Sequence, residues 1–228
     1  MEGFKMKKTL FLLLVVFLVS GVSQVFAYDY GVSVKDNVVW DGKSVNNGGE
    51  FGFSVKGNKF GNNGFSWSTF CVETTQYLAG KNKKMEVTGI SSANSLGTDL
   101  KEEVAWLYWN FSKGSLGIGD NEYTGSTSDQ QDLQLLIWNQ MGQTLPGSVD
   151  PTTTSKFDDW LNQATAAIGG GWTNSGLVQV LNLGKKQDVL VAATDANPNP
   201  VPEPASMALL GMGLLGLVVV GRKKVKKN

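Results

Sequence analysis

Short apolar alternations open and close the central part of this chain, and between them the apolar spacing becomes helical. Val32-Ser33-Val34, Val38-Val39-Trp40 and Phe51-Gly52-Phe53-Ser54-Val55 are separated by Asn/Gly turns such as Lys56-Gly57-Asn58 and Asn62-Asn63-Gly64, a pattern of antiparallel strands. Phe70-Cys71-Val72 continues the apolar character, and Met85 to Ile90 predicts a further strand. Val104, Leu107, Tyr108 and Phe111 then fall at i, i+3, i+4 and i+7, which predicts a helix over Leu100 to Phe111. A second helix is expected from Asp129 to about Met141, with Ser128 and Gln131 as its capping box. A third runs from Ser155 to Ile168, with Phe157, Trp160, Leu161, Ala164 and Ile168 on one face and Gly169 to Gly171 as its stop. Strands return at Gly176 to Leu183 and Asp188 to Ala193 around a Gly184-Lys185-Lys186 turn. No βαβ alternation is present. The order predicts an α+β domain: an antiparallel β-sandwich or barrel-like sheet with an inserted three-helix segment, the late strands completing the sheet begun by the early ones.

The two ends have a different character. Lys5, Lys7 and Lys8 precede the apolar run Leu10 to Val19, and small and polar residues lead to Val25-Phe26-Ala27. That is the plan of a secretory signal peptide over 1–27, with cleavage by signal peptidase expected between Ala27 and Tyr28. At the far end Asn197-Pro198-Asn199-Pro200 forms a helix-incompatible spacer, because each proline disfavours helical backbone in the residue before it. Val201-Pro202-Glu203-Pro204 follows, then the uncharged run Ala205 to Gly221, about 25 Å long as a helix. Arg222, Lys223, Lys224, Lys226 and Lys227 stand immediately behind it. By the positive-inside rule this basic end stays cytoplasmic, and the body, residues 28–196, lies outside the inner membrane.

The succession of Pro202-Glu203-Pro204, a short apolar helix and a basic cluster resembles the PEP-CTERM sorting signal of Gram-negative bacteria. The resemblance divides the end into a linker and motif (197–204), a transmembrane helix (205–221) and a cytoplasmic tail (222–228). It implies recognition by an exosortase, which would cut near the motif and convert an inner-membrane-anchored precursor into a cell-surface or extracellular protein.

Setting the ends aside changes the charge. The whole chain has twenty basic and twenty acidic residues, but the ends hold eight of the former and only Glu2 and Glu203 of the latter. The body keeps 12 basic against 18 acidic side chains, a net charge of −6, which argues against nucleic acid as a partner. Histidine is absent, which excludes Ser-His-Asp and Cys-His catalysis and removes a common zinc ligand. No catalytic cluster, metal site or cofactor site can be assembled from obvious motifs, so the chain is not expected to be an enzyme. Cys71 is its single cysteine. In an oxidising compartment it has no internal disulfide partner.

Three blocks occur in order: Phe70-Cys71-Val72-Glu73, Ala105-Trp106-Leu107-Tyr108, and Leu133-Gln134-Leu135-Leu136-Ile137-Trp138. They resemble the thioester domains of bacterial surface adhesins, which have an aromatic-Cys-aliphatic-acidic block and a later Thr-Gln-x-Ala-Ile-Trp block. Leu133 and Leu136 stand where that family has Thr and Ala. The resemblance implies that Cys71 supplies the sulfur and Gln134 the acyl carbon of an internal thioester, open to attack by an amine of a host or neighbouring protein. Read without it, Cys71 is a small buried hydrophobe and Gln134 a satisfied helix residue. The seven tryptophans permit another role, noncovalent structural or carbohydrate binding in an extracellular polysaccharide or biofilm matrix.

Overall fold

Strands form at the front of the body where β-branched and aromatic residues alternate, and their register follows from which face is dry. The computed structural model describes residues 28–42, 49–56, 64–145 and 155–194. In it β1 (Asn37–Trp40), β2 (Phe51–Val55), β3 (Ser66–Thr69) and β4 (Met85–Glu86) make one antiparallel sheet in the order β3-β2-β1-β4. Val38 pairs with Val55 and Trp40 with Phe53 across β1 and β2. A second antiparallel sheet, in the order β5-β6-β7, joins β5 (Gly89–Ser91), β6 (Val178–Asn182) and β7 (Val189–Ala192). Between β5 and β6 lie three helices: α1 (Glu102–Ser112), α2 (Thr127–Gln140) and α3 (Ser155–Gly169).

The second sheet is the middle layer. Along β6, Val178 and Val180 pack with the helices, whereas Leu181 packs with the first sheet; on β7 Leu190 joins the helix side, and Val189 and Val191 the sheet side. Burial on both faces explains why these strands read as nearly unbroken apolar runs. The segment 70–72 repeats the rule, with Phe70 and Val72 on the helix side and Cys71 on the other. Helix α2 is enclosed almost all round. Leu133, Leu136 and Ile137 enter the helix-side core, and Leu135 and Trp138 the sheet-side core.

The α+β class and the three-helix insertion agree with the sequence pattern, but five details differ. The sheets are not closed into a barrel, and the late strands do not complete the early sheet; they pair with β5 in a sheet of their own. Met85 to Ile90 is two strands instead of one. Val87 exchanges main-chain hydrogen bonds with Lys35 and Asp36, while Thr88 N–H already bonds the Asn182 carbonyl, so the chain changes sheets between them. Val32-Ser33-Val34 is not a strand, because Ser33 N–H donates to Asp36 Oδ2 and Asp36 N–H returns to the Ser33 carbonyl, closing a turn. The cap of α2 is Ser126, whose hydroxyl accepts the Asp129 N–H, which replaces the Ser128–Gln131 box.

Candidate functional site

Cys71 sits where the edge of the second sheet runs out of strand partners. The Phe70 carbonyl accepts Leu190 N–H at 3.2 Å and Val72 N–H donates to the Asp188 carbonyl at 3.1 Å, flanking an antiparallel bridge between Cys71 and Val189. A residue between two such bonds turns its own N–H and C=O to the opposite side. Cys71 thus presents both main-chain groups away from β7, at a site with no solvent contact. Gln134 of α2, itself fully buried, answers both. Its Oε1 accepts the Cys71 N–H at 3.0 Å, and its Nε2 donates to the Cys71 carbonyl at 2.8 Å. The primary amide behaves as a one-residue strand delivered by a helix.

The structure therefore brings together the two residues singled out from the sequence, which lie 63 positions apart. A carbonyl oxygen that accepts an N–H leaves its carbon more electrophilic, and the same N–H stands where negative charge would develop on Oε1 during addition to Cδ. The Cys71 sulfur is poorly ionised. Burial pushes the Cys71 thiol well above its usual range, and the nearby Glu73 and Asp188 carboxylates push it further. A thiol in this setting needs a proton acceptor close by before it can act as a nucleophile.

Sequence reasoning gave no role to the two acidic residues whose charges act on the thiol. Glu73 and Asp188 are both fully buried. Asp188 is saturated: Oδ1 accepts Leu183 N–H, and Oδ2 accepts Ser95 N–H and the Asn182 amide. Its own N–H donates to Glu73 Oε1 at 2.8 Å. Glu73 Oε2 has no hydrogen-bond partner, nor has Asn94 Nδ2. Burial raises the Glu73 carboxyl to about 7; the Asp188 N–H opposes the shift, the Asp188 charge adds to it, and the Asn94 amide pulls it back. The available sequence signal was the spacing of Cys71 and Glu73, two residues apart on an extended chain. Nothing local pointed to Asp188 or Asn94, which arrive from distant loops.

A second charged site is closed by its own partners. Asp129 Oδ2 accepts the Thr124 N–H and hydroxyl, and Oδ1 pairs with Lys156 Nζ at 2.7 Å. Burial would raise this carboxyl, but those bonds outweigh it and hold it below the usual carboxylate range. Among the described residues, no group of three or more His, Cys, Asp or Glu is placed to hold a metal ion.

Of the processing residues, Tyr28 is described, with its ring set beside Gly176. Ala27, Pro202, Glu203, Pro204 and the apolar run 205–221 lie outside the described residues. Among those that are described, no helix is long and apolar enough to cross a membrane.

The family model described as the PEP-CTERM protein-sorting motif matches residues 200–224. No curated protein and no solved structure matches the chain. The motif marks the chain as an exported precursor that passes through the membrane, is processed by an exosortase and is sorted to the cell surface.

Proposed function

We propose that the exported body is a covalent fastener: Cys71 and Gln134 condense to an internal thioester that a primary amine on another surface molecule then opens. The Cys71 thiol adds to Gln134 Cδ, Nε2 leaves as ammonia, and the acyl group is stored on sulfur. An incoming amine takes the acyl group as a stable amide and regenerates the thiol, so each molecule acts once and adhesion is its outcome. The observation that carries this reading is the two-way, fully buried hydrogen bonding of the Gln134 amide to the Cys71 main chain. Protease digestion of the exported protein, followed by mass spectrometry, tests it. A cross-linked pair of peptides containing Cys71 and Gln134, one ammonia lighter than their sum, is expected. Full mass with a freely alkylated Cys71 would refute it.

A second reading rests on a different feature. Phe65 and Trp67, stacked at 5.6 Å between ring centroids, line a cleft of about 580 Å³ with Ser66, Ser112, Lys113 and Thr194. Partly exposed aromatic rings among hydroxyls suit a sugar chain, which would make the body a noncovalent component of a polysaccharide matrix. Tryptophan fluorescence titration with surface polysaccharide tests this: saturable quenching lost in Trp67→Ala supports it, and an unresponsive spectrum excludes it.

A further inference from the structure

Resting on the thioester reading, we propose that Glu73 is the proton carrier of the Cys71–Gln134 chemistry, acting through Oε2 and held in place by Asp188. Three independent observations converge on it. The thiol is enclosed where no water can accept its proton, and the carboxylates that act on it belong to Glu73 and Asp188. Of those two, Asp188 has both oxygens committed to donors, two of them main-chain N–H groups, whereas Glu73 Oε2 makes no hydrogen bond of its own and has only the Asn94 amide nearby. The third observation is the anchoring of the other oxygen. Asp188 N–H donates to Oε1, and the Gln187 amide donates to the Glu73 main-chain carbonyl at 2.5 Å, so the residue is held by the segment that precedes β7.

The proton balance closes without any further reagent. As Sγ adds to Gln134 Cδ, the thiol proton passes to Glu73 Oε2 and the electrons of the carbonyl move to Oε1, facing the Cys71 N–H. When the Cδ–Nε2 bond breaks, Glu73 returns the proton to the departing nitrogen and ammonia leaves. In the capture step the amine adds to Cδ, its surplus proton passes to Glu73, and Glu73 protonates Sγ as the carbon–sulfur bond breaks. Nothing is oxidised or reduced. The charged and titratable groups facing the carboxyl are Cys71 and Asp188, and Asn94 offers it an uncharged amide. Ser95, whose N–H bonds Asp188 Oδ2, is hydrogen-bonded to Gln76, and the two line an open depression of about 510 Å³; on this proposal the amine comes from that side.

The rate of thioester opening by methylamine, measured on the exported protein, tests the proposal. The readouts are Cys71 alkylation and the mass gained at Gln134. In the wild type the rate, corrected for the free-amine fraction, should rise through pH about 7 as Glu73 ionises. Glu73→Gln should remove that step and slow opening at pH 8 by about 100-fold, the low end of what a positioned general base supplies. Glu73→Asp, which keeps a carboxyl on a shorter arm, should restore the step at a reduced rate. Should the Gln variant be folded by circular dichroism yet contain no thioester, rescue of the cross-linked peptide by the Asp variant supports Glu73 in the forming step; no rescue overturns it. An intact thioester in Glu73→Gln with wild-type opening rates at every pH overturns the role of Glu73 and leaves the thioester standing. A wild type without the cross-linked peptide removes both.

Discussion

Replacing Glu73 by glutamine should make the fold more stable at neutral pH, and the size of the gain follows from the burial of the carboxyl. Folded Glu73 holds its proton to about pH 7, whereas the ordinary value is 4.5. The folded state therefore binds more protons than the unfolded one between those limits, and stability must fall as pH rises through them. Below pH 4.5 both states are protonated and the full stability is present; above about 7 the loss is complete. At about 1.4 kcal/mol per pH unit, the interval amounts to about 3 kcal/mol. Usually histidines obscure such a measurement, but this chain has none. The assay is urea unfolding of the exported protein in a Cys71→Ala background, which rules out the proposed covalent bond, at half-unit steps from pH 5 to 7. The Glu73-containing chain should lose stability steadily across that range. With Glu73→Gln the profile should be flat. A flat profile with Glu73 present, or an unchanged slope in the variant, would refute the account of Glu73 as a buried and readily protonated group.

Other substitutions probe the remaining contacts. Gln134→Ala should abolish any ammonia deficit and destabilise the fold by about 2–5 kcal/mol, because it strands the Cys71 N–H and C=O at 0% exposure; denaturant midpoints check it. Asp129→Asn should remove a stability term that is present above the ordinary aspartate value of 3.8 and lost as pH falls through the lowered folded value, so the variant should differ from wild type at pH 6 and converge with it in strong acid. Gly117→Ala should destabilise by about 2 kcal/mol or more, since the residue has φ +85° and a Cβ there would stand 2.0 Å from the Asn121 carbonyl oxygen that accepts the Trp160 indole N–H; a shift of the tryptophan emission should accompany the lowered midpoint. For the sorting end, peptide mapping of protein recovered from the surface of exosortase-competent cells should find no peptide containing Lys226 and Lys227. Their retention on surface protein would contradict exosortase processing there.

Legibility in the sequence divided along physical lines. Helix α1 was readable because Val104, Leu107, Tyr108 and Phe111 repeat at the helical period, and the structure differs from the predicted span by two residues at one end and one at the other. The middle-layer strands were readable as strands but not as members of a particular sheet. An apolar run buried on both faces, such as Val189 to Ala192, carries no mark of which neighbour it pairs with. Likewise the change of sheet at Val87 and Thr88 leaves no break in the sequence, because buried and exposed residues simply go on alternating from Met85 to Thr88. At the site, Cys71 and Gln134 stood out as members of resembling blocks. Their contact depends on an edge that exists only when Phe70 and Val72 bond β7, a long-range pairing with no local signature. Glu73 was visible as a residue and invisible as a group, since its character comes from the Asp188 N–H and from the loss of solvent.

For the proposed thioester, burial at this site imposes opposite requirements, and Glu73 as its proton carrier would meet both. Excluding water protects an acyl-sulfur bond from hydrolysis, so a stored thioester favours the zero exposure found for Cys71 and Gln134. The same exclusion raises the thiol pKa and removes water as a proton acceptor, which opposes making the bond at all. Exposing the cysteine would ease formation and shorten the lifetime of the product. An internal base resolves the conflict only if it can be neutral in the resting fold and charged on demand, and a carboxyl raised to about 7 is poised in that way. An ordinary carboxylate next to the thiol would instead remain charged and hold the thiol protonated by repulsion. On the proposed thioester chemistry the Glu73 carboxyl is the group on which storage and reactivity both turn, and Glu73→Gln should gain stability and lose chemistry together.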